Sequence, residues 1–151
     1  MGFDRIPGDG GRVIVAGVDG SDSSWRAAAY AVGLARRQDA LLVLVHVLPN
    51  HPAALMAGVA WMLAEGDLAV ADELRRRVRA GLACSVDLRS LRWEFHALRD
   101  ADAVAGITRT ADEFRADAVV VGSSRGLWHR LFGSAGVRLV KCGKWPVTVV
   151  P

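Results

Sequence analysis

The sequence has 151 residues, of which 52% are apolar, 19 are basic, 16 are acidic and two are cysteines. This composition predicts one compact domain held together by packing, and it excludes a disordered chain, a collagen-like repeat and a disulfide scaffold. The longest apolar runs fall short of the roughly 20 residues that cross a bilayer, and no basic leader precedes them, so we expect a cytoplasmic protein without membrane contact.

The first part of the chain has the pattern of a strand, a loop and a helix. Residues 1–11 show no periodicity and predict a flexible leader, which leaves residues 12–151 as the single domain. The β-branched run Val13–Val18 predicts a strand buried on both faces. Turn and capping residues follow at Asp19–Ser23, and alanines then recur at helical spacing.

The second part repeats this order. Leu41–Leu48 predicts another buried strand, and Pro49 closes it before a helical pattern that runs from residue 53 to residue 82. The second half of this pattern is amphipathic, whereas residues 53–64 are apolar on nearly every side. We therefore expect another surface, such as a partner chain, to cover residues 53–64.

The remainder continues the alternation of strands and helices. The predicted strands are Leu91–Ala97, Ala118–Val121 and Val147–Val150, and the predicted helices are 101–115 and 134–142. Strands that alternate with helices form parallel βαβ units with right-handed crossovers. The sequence therefore predicts a single doubly wound α/β domain with a five-stranded parallel sheet.

The loop after the fourth strand has the composition of an anion site. Ligands of open parallel sheets bind beyond the carboxyl ends of the strands. Here Gly122, Gly126 and Gly133 let the backbone approach an anion, and Ser134 begins a helix whose positive end faces the loop. Residues 122–151 also contain five basic and no acidic residues. The pattern is compatible with phosphate binding, but Ser134 also fits a simple capping role and the glycines fit simple turns, so the spacing alone leaves both interpretations open.

Other chemistries fit the sequence less well. Gly122, Ser124 and Gly126 spell the G-x-S-x-G of a hydrolase nucleophile elbow, but no acidic residue follows the serine, as that fold requires. No two histidines have the spacing of metal ligands on a helix, and His46 in its apolar strand predicts a structural histidine. The tryptophans are scattered rather than arrayed with basic residues, so we expect no nucleic-acid partner.

Four ordered segments resemble the universal stress protein family. They are "VIVAGVDGSDSS" before an alanine-rich helix, "LVLVHVLP", "ADAVVVGSSRG" and "GSAGVRLVKCGKWPVTVVP", and together they extend over residues 12–151. The resemblance implies a Rossmann-like fold with strand order 3-2-1-4-5, a cytoplasmic homodimer and a role in the stress response.

Many members of this family bind ATP, which implies a set of nucleotide-binding residues here. Asp19 would face the ribose or adenine, Val47 would contact the base, and the glycine loop would hold the phosphates, with Mg²⁺ accompanying ATP. The candidate nucleotide-binding residues are Gly17, Val18, Asp19, Ser21, Val47, Gly122, Ser123, Arg125, Gly126, Gly133 and Ser134. No catalytic residue is assigned, and at most slow ATP hydrolysis is expected.

The glycine loop departs from the family pattern G-x2-G-x9-G-[ST]. It has three residues between Gly122 and Gly126 and six between Gly126 and Gly133, so it is two residues shorter. Its length and Trp128 resemble the subclass that binds no nucleotide, whereas Gly133 and Ser134 resemble the subclass that does. Two hypotheses therefore stand: a binder of ATP or another adenine nucleotide, and a dimeric interaction protein that binds none.

The last strand, Val147–Val150, predicts the homodimer contact. A strand at the edge of a sheet presents unpaired amides that can pair with another chain. The resemblance implies a dimer through this strand.

Overall fold

The computed structural model describes residues 12–85, 90–123 and 138–151. Its five strands form one parallel sheet in the order β3-β2-β1-β4-β5. The strands are β1 (Val13–Gly17), β2 (Leu41–Leu48), β3 (Trp93–Arg99), β4 (Ala118–Gly122) and β5 (Val147–Val150). The helices are α1 (Asp22–Gln38), α2 (Pro52–Met56), α3 (Ala60–Ser85) and α4 (Ala103–Glu113), and residues 138–142 are also helical. The predicted fold class and strand order are confirmed.

The sheet separates two hydrophobic cores. On one face, Ile14 and Leu44 pack among residues of α1 and α3. On the other face, Val15 and Val45 pack among residues of α4 and against Leu139. Because both faces are covered, the central strands are apolar at nearly every position, as the sequence pattern indicated.

The long helical pattern proved to be two helices. Residues 53–82 were predicted as one helix, but α2 ends at Met56 and α3 begins at Ala60. Gly58 lies between them with φ +71°, a backbone conformation that an L-residue adopts only with strain and a helix does not contain. The other predicted strands and helices differ from the described structure by a few residues at their ends, and residues 134–137 of the last predicted helix lie outside the described residues. The predicted leader, 1–11, lies outside the described residues.

Within the described ranges, no helix is both long enough and apolar enough to span a membrane.

Glycine on α4 allows the helix to lie close to the sheet. A Cβ atom at Gly106 would stand 2.5 Å from Val47 Cγ2 and 3.0 Å from Leu98 Cδ1. The two contacted side chains belong to β2 and β3, so α4 could not keep its position with a larger residue there. Gly81 on α3 is different, because a Cβ atom added there would meet nothing within 4 Å.

These two helical glycines give a matched pair of substitutions. We expect Gly106→Ala to destabilise the protein by about 1 to 3 kcal/mol, because the branched Val47 cannot move aside without repacking. Gly81→Ala should stabilise it by about 0.5 to 1 kcal/mol, because alanine restricts the unfolded chain and favours the helix. Urea denaturation of both variants measures their free energies of unfolding. Changes of the same sign and size in the two variants would contradict this explanation.

Candidate functional site

A cleft opens where β1, β2 and β4 end. Its cavity volume, without the open solvent at its mouth, is about 30 Å³. This edge is the point at which the strand order reverses around β1, the usual ligand position in open parallel sheets. Six of the predicted site residues line the cleft: Gly17, Val18, Asp19, Ser21, Val47 and Gly122.

The loop after β1 holds Asp19 in one orientation. Asp19 Oδ1 accepts hydrogen bonds from the Ser21 amide at 2.9 Å and from the Ser21 hydroxyl at 2.6 Å. Ser21 in turn caps α1, because its Oγ accepts from the Ser24 amide at 3.2 Å. Gly20 makes this turn possible with φ +87°. These bonds use one carboxylate oxygen, and no donor among the described residues reaches the other, Oδ2.

The last pairing between β1 and β2 leaves backbone groups of Val47 free. The Val45 carbonyl accepts a hydrogen bond from the Val18 amide at 2.8 Å, on the β1 side of β2. In a parallel strand the backbone groups of every second residue face the same neighbour, so the amide and carbonyl of Val47 also face the β1 side. Pairing of β2 with β1 ends at Val45, opposite Gly17. Val47 therefore presents a donor and an acceptor to the cleft, beyond the end of β1.

His46 explains why the pairing stops there. Its ring Nδ1 lies 2.9 Å from the Val18 carbonyl, which is the group that the Val47 amide would meet if β1 continued. A carbonyl can only accept, so Nδ1 carries the hydrogen. The ring is buried and satisfied, which confirms the prediction of a structural histidine.

Gly122 brings the end of β4 against the start of α1. A Cβ atom at Gly122 would stand 2.5 to 2.7 Å from backbone atoms of Ser23 and Ser24. Backbone cannot move aside as a side chain can, so this position requires glycine. The close contact places the start of α1, with Ser21 and Ser24, on the wall of the cleft.

Helix α4 forms the opposite wall. Ala103 and Ile107 line the cleft, and a Cβ atom at Gly17 would lie 2.9 Å from Ile107 Cδ1. Asp102 caps α4 by accepting from the Ala105 amide at 2.8 Å, and Arg138 donates to it at 2.7 Å. Burial raises the pKa of Asp102, but these hydrogen bonds and the charge of Arg138 outweigh it, so the pKa lies below the usual value.

The remaining predicted residues do not line the described cleft. The Ser123 amide donates to the Val150 carbonyl at 2.7 Å, so it pairs β4 with β5 and is not available to a ligand. Arg125, Gly126, Gly133 and Ser134 lie outside the described residues. In the described ranges, no three His, Cys, Asp or Glu side chains are arranged to hold a metal ion.

Sequence reasoning missed half of the lining. Ser24, Val45 and His46 adjoin residues that were predicted, and the capping pattern and the strand end are signals that would have found them. Ala103 and Ile107 carry no such signal, because their place at the cleft depends on how α4 packs across the sheet.

Comparison with known proteins gives a consistent result. Residues 11–151 match the model of the Universal stress protein family. No curated protein sequence matches the chain. Universal stress protein UspA from Lactobacillus plantarum superimposes with a TM-score of 0.75 at 22% identity, over 93% of this chain and 97% of that one.

Two further similar structures contain nucleotides. A universal stress protein in complex with cAMP has a TM-score of 0.62 at 26% identity, over 93% of this chain and 96% of its own. The universal stress protein from Archaeoglobus fulgidus in complex with dAMP has a TM-score of 0.56 at 21% identity, over 93% of this chain and 98% of that one. With a family match over nearly its whole length, this chain belongs to the universal stress protein family.

Proposed function

We propose that this protein is a cytoplasmic stress-response module that binds an adenine nucleotide in the cleft beyond β1 and acts as a homodimer. The nucleotide serves as a regulatory ligand, with at most slow hydrolysis of ATP. Similar structures with cAMP and dAMP support the adenine nucleotide as the ligand class.

The observation that carries this proposal is the set of free polar groups at the cleft. Asp19 Oδ2 has no donor among the described residues, and the amide and carbonyl of Val47 extend past the last β1 partner. A carboxylate oxygen suits a ribose hydroxyl, and an adjacent backbone donor and acceptor suit the edge of adenine. Gly17, Val18 and Ser21 complete the wall at which the ribose would lie.

The phosphate side of the proposal depends on the glycine loop. Gly122 stands at its beginning, and Arg125, Gly126, Gly133 and Ser134 would contact the phosphates. A loop two residues shorter than the family pattern offers fewer amides, and each unpaired buried oxygen costs about 1 to 3 kcal/mol. We therefore expect AMP or a cyclic monophosphate to bind more tightly than ATP, which would bring Mg²⁺ with its phosphates.

Replacing Asp19 by asparagine tests the ribose contact. Asparagine keeps the oxygen that accepts from Ser21 but replaces Oδ2 with an NH2 group, so the ribose hydroxyl loses its charged acceptor. We expect Asp19→Asn to weaken AMP binding roughly tenfold or more, equivalent to about 1.4 kcal/mol. Titration calorimetry with AMP, ADP and ATP measures the change.

Asp22→Asn is the matched control, since Asp22 is exposed in the first turn of α1 and makes none of the Asp19 loop contacts. The affinity of this variant for AMP should stay within about twofold of that of the unsubstituted protein, because the charge of an exposed side chain is screened by salt and contributes little. Equal losses for the two variants would mean that general charge, and not the Asp19 contact, governs binding.

The alternative is an interaction protein of the same fold without nucleotide, which the short loop and Trp128 favour. Denaturing freshly purified protein and analysing the supernatant by mass spectrometry separates the two. We expect release of about one adenine nucleotide per chain. Absence of nucleotide, together with no heat on titration, would support the alternative.

The homodimer is proposed to form through β5. This strand lies at one edge of the described sheet, and Val149 is 45% exposed. The carbonyls of Pro146 and Val150 accept hydrogen bonds from the β4 segment. Because backbone groups of successive residues face opposite sides of a strand, the amides of Val147 and Val149 point outward, away from β4. Outward amides on an edge strand can pair with the same strand of a second copy.

Val149→Pro tests this contact, since it deletes one outward donor without touching the bonds to β4. We expect the mass in solution, measured by light scattering, to fall by half. Val149→Ala keeps the donor and should keep the mass. A proline variant that remains folded by circular dichroism and keeps its mass would refute a dimer through β5.

A further inference from the structure

Helix α3 has opposite charges in its two halves. Residues 60–74 contain four acidic residues and no basic one, whereas residues 75–85 contain four arginines and no acidic residue. Acidic residues toward the N-terminus and basic residues toward the C-terminus are the arrangement that the helix dipole favours, so the division suits α3 itself. It also makes α3 complementary in charge to a second, antiparallel copy of the same helix.

One flank of α3 is exposed along its whole length. The buried stripe of the helix consists of Ala71, Leu74, Val78 and Leu82. At 100° per residue, a neighbouring stripe contains Trp61, Glu65, Leu68, Asp72, Arg75 and Arg79, all of which are exposed. We call these six residues the α3 flank. Trp61 is 63% exposed and Leu68 is 55% exposed, and they belong to a run of exposed apolar side chains that also includes Met62, Leu63 and Val70.

The charges of the α3 flank are unused. Among the described residues, Glu65, Asp72 and Arg79 make no ion pair or hydrogen bond, and Arg75 only lies over the Phe95 ring at 5.5 Å. Charges elsewhere on the helix are paired, as Glu73 with Arg76 at 2.9 Å. The α3 flank therefore combines apolar side chains with free charges of both signs.

We infer that the α3 flanks of two copies pair antiparallel about a two-fold axis close to residue 70. Positions 61 and 79 are equally far from that point, and so are positions 65 and 75. The pairing places Glu65 against the partner's Arg75, and Trp61 against the partner's Arg79. A guanidinium over an indole and an arginine beside a carboxylate are both favourable contacts. The same register places Leu68 opposite the partner's Asp72, on either side of the axis.

A second copy suits this surface better than other occupants. An isologous contact requires one surface to complement itself, and a helix divided by charge does so when it is paired antiparallel. Its 26 residues extend over about 39 Å, long enough for a helix-pair interface. A bilayer surface fits poorly, because the exposed apolar residues lie in the acidic half, which anionic lipids repel.

This contact is separate from the proposed β5 dimer. Arg75 lies over Phe95 of β3, which is at the opposite edge of the sheet from β5. Neither contact blocks the other, so the unsubstituted protein would associate beyond a dimer when both form. Each contact can then be removed alone.

Charge reversal tests the pairing. We expect Glu65→Arg to lower the mass measured by light scattering to that of the β5 dimer, because each copy would then place a positive charge at position 65 against the partner's Arg75. Arg75→Glu should do the same. The double variant Glu65→Arg, Arg75→Glu restores opposite charges across the axis and should regain the original mass. Added salt should weaken the association, since these charges are exposed.

Glu73→Arg is the matched control, a reversal on the same helix outside the α3 flank, and it should leave the mass unchanged. In a Val149→Pro background, Glu65→Arg should give the mass of a single chain, 16.1 kDa. Unchanged mass in both single reversals, or no recovery in the double variant, would overturn the pairing. The pairing would also be overturned if the protein sedimented with phosphatidylcholine vesicles and the variant Trp61→Glu did not, since the α3 flank would then contact lipid.

Discussion

The hydrogen bond from the His46 ring to the Val18 carbonyl governs the cleft. It occupies the acceptor that would otherwise extend β1–β2 pairing by one step, and it does so with a largely buried side chain. The backbone of Val47 is left facing the cleft rather than a neighbouring strand. A polar group in a buried strand thus turns the end of a sheet into a place where a ligand can be recognised by main-chain atoms.

Small residues around that point determine the width of the cleft. Gly122 admits the backbone of α1, Gly106 admits Val47, and Gly17 admits Ile107. A Cβ atom at Gly122 would force two structural elements apart and one at Gly106 would displace Val47, whereas at Gly17 the end of the Ile107 side chain could move aside. These glycines serve packing first, and the same close packing brings the first turns of α1 and α4 to the cleft. Each glycine near this cleft therefore has a structural role that is independent of any contact with a ligand.

The two edges of the sheet have different properties. At one edge, β5 presents backbone donors, which recognise any strand of suitable register. At the other edge, α3 presents side chains of opposite charge, which recognise a surface with the reversed pattern. A protein with both contacts would assemble through one of low specificity, at β5, and one of high specificity, at α3. The unpaired charges of the α3 flank and the alternation of hydrogen bonds along β5 are the observations on which this view depends.

The sequence alone was sufficient to predict the α/β class, the five strands and most of the loop that contains Asp19. These features depend on local pattern: β-branched runs, capping residues and turn glycines act within a few positions of the chain. The residues Gly17 to Ser21 and Val47 could be predicted for the same reason, since each stands at the end of a recognisable strand.

Only the tertiary structure determined the rest. It divided the 53–82 pattern at Gly58, brought Ala103 and Ile107 to the cleft, and committed the Ser123 amide to β5. It also left the apolar residues at the start of α3 exposed, where the sequence indicated only that something should cover them. Each of these depends on which surfaces face one another across the sheet, and contacts between residues far apart in sequence leave no periodic signal in the chain.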